Sequence, residues 1–193
     1  PWYVTIVAFL FHGMCFAFMV NGFHELVHDS VFKTRWLNRV FLWMHSFLAW
    51  YNHIHFWASH TEHHKYTLHQ PDDLEVVLPA QMRRWAFLKS AIVDPLDLLN
   101  AVRHTARLST NRLKGEWETH LFTVVQPGRR KQMVNWSRFV LCGHVALVAV
   151  SLYFGYWYIP LAVTCGRFYG RGIQILCNAS QHIGLQDEVS DFR

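Results

Sequence analysis

The sequence predicts an all-α, multi-pass transmembrane protein whose helical crossings carry a cytosolic helical cap, and three observations predict it. The 193 residues are 52% hydrophobic and 16% aromatic, with only 16% charged residues against about 25% in soluble proteins. Residues 1–24 and 139–166 contain no Asp, Glu, Lys or Arg, and about 20 such residues suffice for a helix to cross a bilayer. Of the 18 Lys and Arg, all but Arg167, Arg171 and Arg193 lie between Lys33 and Arg138, so the positive-inside tendency turns the central region toward the cytosol. The net charge of +5 then marks a membrane surface. A nucleic-acid partner would need an aqueous basic face without apolar spans, and none is expected.

Taken in order, residues 2–23 form the first predicted span, interrupted only by His12, Gly13 and Asn21, and they deliver His24 to the membrane surface. Residues 36–57 are apolar and aromatic but carry Arg39, His45, Asn52, His53 and His55. A full crossing here would separate the histidines at 24 and 28 from those at 60–64, so the segment is expected to be a helix that is interfacial or re-entrant. Residues 65–138 are expected to be cytosolic. Within them Tyr66 to Asp73 is turn-rich, Met82 to Leu108 alternates apolar and basic residues with a helix break at Asp94-Pro95, and the basic loop Gln126 to Lys131 suits anionic headgroups. Residues 139–177 predict a transmembrane hairpin turning near Pro160. Its return arm contains Arg167 and Arg171, which must either snorkel or face protein. Cys15, Cys142, Cys165 and Cys177 show no metal-binding spacing and read as small buried hydrophobes. The chain starts at Pro1 without Met and reads as one domain incomplete at both ends.

The chemistry lies in the histidines. Five of the 14 fall into two clusters, His24-x3-His28 and His60-x2-His63-His64, and a helix places residues three and four apart side by side. A His-x3-His pair is expected about once by chance in a chain this rich in histidine, but His-x2-His-His only on the order of 0.07 times. His12, His45, His53, His55, His104, His120 and His144 lack clustered partners and read as packing or hydrogen-bonding residues. His24-Glu25-x2-His28 also fits the zinc protease signature, but a catalytic zinc needs only three protein ligands. The triple cluster is surplus to that, and two metals explain the surplus. Nitrogen-rich coordination suits redox iron as well as zinc.

The stretches Asn21-Gly22-Phe23-His24-Glu25-Leu26-Val27-His28-Asp29-Ser30 and Ser59-His60-Thr61-Glu62-His63-His64-Lys65-Tyr66-Thr67 resemble the first and second histidine boxes of the membrane fatty acid desaturase superfamily, which includes lipid hydroxylases and carotenoid ketolases. The resemblance implies four spanning helices under a cytosolic cap and a di-iron centre bound by three boxes. It implies His24, His28, His60, His63 and His64 as metal ligands. Asn178-Ala179-Ser180-Gln181-His182 resembles the element after the last span, with His182 as a ligand and Asn178 as an outer or water-mediated one. Glu25 and Glu62, inside the boxes, are candidates to hold ligand imidazoles by hydrogen bonds. No third His-x2-His-His box occurs before Arg193, so that box is expected outside these residues, and the 193 residues alone are not expected to turn over substrate.

The implied activity is that of an integral membrane enzyme, an oxygen-dependent fatty acid desaturase with two iron ions and O2 as co-substrate. It would insert a double bond into an acyl-lipid or acyl-CoA, with its active site on the cytosolic face. A related hydroxylase or ketolase, or a membrane zinc metalloprotease, is the alternative. No flavin, nicotinamide or haem signature is present, so electrons are expected from an acidic donor such as a ferredoxin or b-type cytochrome docking on the basic central face.

Overall fold

The computed structural model describes residues 1–67, 69, 72–76, 84–181 and 183–185. These residues are helical, joined by turns and one isolated bridge between Val93 and Tyr169. The helices are α1 (Trp2–Val27), α2 (Arg35–Leu48), α3 (His53–Tyr66), α4 (Arg84–Ile92), α5 (Pro95–Ser109), α6 (Gly115–His120), α7 (Arg130–Tyr153), α8 (Tyr158–Val163) and α9 (Gly172–Ser180). A π-turn over Leu121–Val125 and short 3-10 turns at Pro127–Arg129 and Gly166–Phe168 complete the path.

Among the described residues, two helices, Trp2–Val27 and Pro127–Tyr153, are long and apolar enough to cross a membrane. At about 1.5 Å per residue, the 26 residues of α1 reach about 39 Å, beyond the roughly 30 Å of a hydrocarbon core. Their outer faces present Trp2, Val7, Phe11, Phe139, Val145 and Val150 without protein cover.

The segment expected as one helix over 36–57 is two helices. The break falls at Ala49 to Asn52, where Trp50 takes a φ of 58°. Tertiary contacts hold this unfavourable conformation: the Trp50 indole donates to Thr164 O at 3.0 Å and stacks on His144 at 4.0 Å. Asn52 then starts α3. Its Oδ1 accepts from Ile54 N and His55 N, an N-cap, while its Nδ2 donates to Met133 O and Ser137 Oγ, both at 2.8 Å. The helix carrying the second histidine cluster is thereby fixed to α7.

His144 is buried in α7 and sandwiched between Phe47 and Trp50, with its two ring nitrogens on Thr164 Oγ1 and Phe47 O. Ile54, Ala58, Leu108, Leu121, Phe122, Met133 and Val134 form the core between α3, α5, the π-turn and α7.

The return arm of the hairpin expected over 139–177 is helical only in pieces, α8, a 3-10 turn and α9. Its arginines face protein. Arg167 reaches Asp97 at 3.1 Å, and Arg171 bonds Asp97 and lies 3.8 Å from Asp94. Asp94 is itself the N-cap of α5, accepting from Asp97 N at 3.0 Å with Pro95 in the first turn, so the helix break predicted at Asp94-Pro95 is present. The close approach of α1 to this arm uses Gly13, where a Cβ would lie 2.3 Å from the Tyr169 ring. Tyr169 stacks on Phe9 and its hydroxyl meets His12 Nδ1 at 2.8 Å.

Candidate metal centre

The last turn of α1 and the C-terminal half of α3 converge. His24 and His28 share one face of α1, His60 and His64 one face of α3, and four ring nitrogens, one from each, lie within 4.8 Å of one another. Ring centroids are 4.6 Å apart for His24 and His60, and 5.1 Å apart for His28 with each of His60 and His64. His60 Nε2 and His64 Nε2 face each other at 3.0 Å. His63 sits beside this quartet, 5.8 Å from the His60 ring. After His28 the chain is turned by Asp29, with a φ of 55°. Buried Asn38 holds that turn, donating to Asp29 O and Phe32 O and accepting from Phe32 N.

Carboxylates occupy the second ring nitrogen of His24, His60 and His63. His60 Nδ1 donates to Glu75 Oε1 at 2.7 Å, His63 Nδ1 to Asp73 Oδ2 at 2.7 Å, and His24 Nδ1 to Glu25 Oε1 at 2.8 Å. An ionised carboxylate only accepts, so each Nδ1 carries a proton, and in the neutral imidazole that tautomer leaves the lone pair on Nε2. Glu75 also accepts from Ser59 Oγ at 2.6 Å, and the Ser59 hydroxyl accepts from the Trp117 indole at 3.1 Å, tying α6 to the site. Burial pushes the Glu75 carboxyl up, but the hydrogen bonds from His60 and Ser59 hold it below its ordinary value. His28 and His64 are depressed by burial first and then by repulsion from neighbouring imidazoles. Their neutral forms are the ones a metal needs.

Asp73 and Glu75 were missed in the sequence. The signal was a group of carboxylates following the second cluster in a turn-rich stretch, which a ligand histidine's need for an acceptor makes meaningful. Glu25 lies against His24, but among the described residues Glu62 bonds no imidazole. It is buried, and its carboxylate takes Lys65 Nζ at 2.6 Å.

A cleft of about 750 Å³ opens onto His24, His60, His63 and His64. Phe18, Val20 and Phe56 give it apolar walls, and Asn178 and Gln181 of the last helical segment line it too. His182 lies outside the described residues. A family model for fatty acid desaturases matches residues 1–193, the whole chain. The chain belongs to the fatty acid desaturase family. No curated protein and no solved structure matches it. Membership supports a desaturase-type lipid function, an oxidoreductase class and a substrate bearing an acyl chain, in a family that is membrane-associated and generally iron-dependent.

A second group, His55, His104 and Glu118, brings ligand-type atoms within 4.8 Å. Here Arg107 already grips Glu118 through two bonds of 2.5 and 2.6 Å, and Lys114 N donates to it at 2.6 Å. The guanidinium also meets His104 Nδ1 at 3.0 Å. A cation at this point would be repelled by Arg107, so the group serves as an ion-paired joint between α3, α5 and α6.

Proposed function

We propose that the protein is a membrane desaturase that introduces a double bond into the acyl chain of an acyl-lipid or acyl-CoA, using two iron ions. The observation that carries this reading is the convergence of His24 and His28 with His60 and His64 in a chain of this family. Neutral imidazoles with carboxylate-held Nδ1–H groups are a donor set that fits divalent iron. His24, His28, His60, His63 and His64 would hold the metals, with His182 as a further ligand, Asn178 as an outer one and a third histidine box beyond these residues. Bound iron supplies oxygen activation for the oxidative removal of two hydrogens from adjacent carbons.

The chain's own residues do the rest. Glu25, Glu75 and Asp73 aim the Nε2 lone pairs of His24, His60 and His63. Phe18, Val20 and Phe56 present apolar surface to an acyl chain and exclude water from the histidine side of the cleft. Imidazole donors also resist oxidation better than thiolates would.

The topology proposed is a single domain in which 2–23 crosses the bilayer, 36–57 stays at one face, 65–138 is cytosolic and 139–177 leaves and returns. In support, Asn178 lines the same cleft as His24, so the chain that departs along α7 comes back to the histidine side. Exposed Arg103, Arg112 and Lys114 offer a basic surface to an acidic one-electron donor such as a ferredoxin or b-type cytochrome.

Mass spectrometry of lipids from cells expressing the full-length protein tests the reading. The expected product has lost two hydrogens, and the product and the bound iron both vanish in His60→Ala. A product that has gained an oxygen would reassign the chain to hydroxylation or ketolation. Bound zinc, with proteolysis abolished by Glu25→Gln and retained in His63→Ala, would overturn the desaturase reading altogether.

A further inference from the structure

The first turns of α7 and the turn that ends α5 border another, open pocket of about 400 Å³, lined by Asn111, Arg130, Lys131, Asn135 and Arg138 among others. Its lining contains three cations and no carboxylate. Arg130, Lys131 and Arg138 also have no ion-pair partner among the described residues, whereas Arg107, Arg167 and Arg171 each have one. The two arginines are oriented from behind. Arg130 Nε donates to Asn111 Oδ1 at 2.8 Å, and Arg138 Nε donates to Ser109 O at 2.9 Å. Among the described residues, the terminal nitrogens of Arg138 and the Lys131 ammonium have no protein partner.

Lys131, Val134, Asn135 and Arg138 are spaced i, i+3, i+4 and i+7, one stripe along α7. That stripe spans about 10 Å at 1.5 Å per residue. Directly after Arg138 comes Phe139, exposed, and with it the uncharged run to residue 166. In a bilayer the hydrocarbon therefore begins where the stripe ends, and the stripe lies across the headgroup layer, about 5–7 Å deep. Like charges this close repel unless an anion joins them, and paired Arg forks match phosphate oxygens.

We propose that Arg130, Lys131 and Arg138, with Asn111 and Asn135, form a binding pocket for the phosphate of an anionic membrane phospholipid at the charged end of α7. The acyl tails of that lipid continue along the apolar face that starts at Phe139. The proposal rests on α7 crossing the membrane and is independent of the metal centre.

The test uses full-length protein in detergent, with lipid binding read by native mass spectrometry and by the unfolding midpoint. Phosphatidylglycerol binds and raises the midpoint, and phosphatidylcholine and inorganic phosphate at equal concentration do not. Lys131→Gln/Arg138→Gln weakens phosphatidylglycerol binding roughly 25-fold, about five-fold per cation. Arg84→Gln/Lys89→Gln, an equal loss of charge elsewhere, changes it less than about twofold. Asn135→Asp keeps every cation, adds a carboxylate to the pocket and also weakens binding, which covers the case that the double variant does not fold. Equal losses in both double variants would reduce the effect to net charge and overturn the site. Stabilisation by inorganic phosphate matching that by phosphatidylglycerol would overturn the lipid assignment.

Discussion

Replacing Glu75 by Gln probes the proposed metal centre without touching any imidazole. The Glu75 carboxylate is mostly buried and accepts from two α3 side chains, Ser59 at 2.6 Å and His60 at 2.7 Å. The isosteric amide has one acceptor oxygen where the carboxylate has two, so it meets one of these donors and turns an N–H toward the other. His60 then loses either its partner or the tautomer that leaves Nε2 free, and in both cases the negative charge behind the ring is gone. Carboxylates in this position are worth about 10–100-fold in metal affinity, or about 1.4–2.7 kcal/mol. Iron retained by the full-length protein during challenge with graded chelator, measured by elemental analysis, reports that loss directly. Glu62→Gln is the control, because this more deeply buried carboxylate serves Lys65, and its iron retention should stay within about twofold. If Glu75→Gln holds iron as tightly as the parent protein, the assignment of Nε2 as the ligating atom of His60 is wrong.

Three further outcomes follow from the packing and the charges. Asn52→Ala removes the cap of α3 and two buried bonds to α7, a loss of about 2–4 kcal/mol, read as a lowered unfolding midpoint by circular dichroism in detergent. Gly13→Ala drives a Cβ into Tyr169 and should cost about 1–3 kcal/mol in the same assay. His53 is depressed from 6.5 to about 4 by burial first and then by Arg129. The unfolded chain therefore takes up the proton first, and the stability present above pH 6.5 falls between pH 6.5 and about 4. At pH 5 the loss is about 1–2 kcal/mol, and His53→Gln should flatten the pH dependence of the midpoint.

The long apolar helices and the two histidine clusters were legible because each is a local pattern: an uncharged run, or imidazoles one turn apart. What the sequence hid depends on the path of the chain between elements. The break at Trp50 carries no Gly or Pro to announce it, since a tryptophan is held at positive φ there by contacts with Thr164 and His144, far along the chain. Asp73 and Glu75 gain their role only because the turn after α3 folds back onto it. Glu62 misled for the same reason: its place inside a histidine box does not decide which neighbour its side chain reaches. Arg167 and Arg171 were visible as misfits in an apolar arm, and only the fold revealed Asp97 as the acid that receives them.

Asn52 also sets an order of assembly. Its bonds to Met133 and Ser137 join residues 81 and 85 positions apart. A nascent chain grown only through α6 already contains both histidine clusters, yet it has no seat for the start of α3. The α7 partners that fix the start of α3, the helix carrying His60 and His64, are therefore present only once α7 has been synthesised.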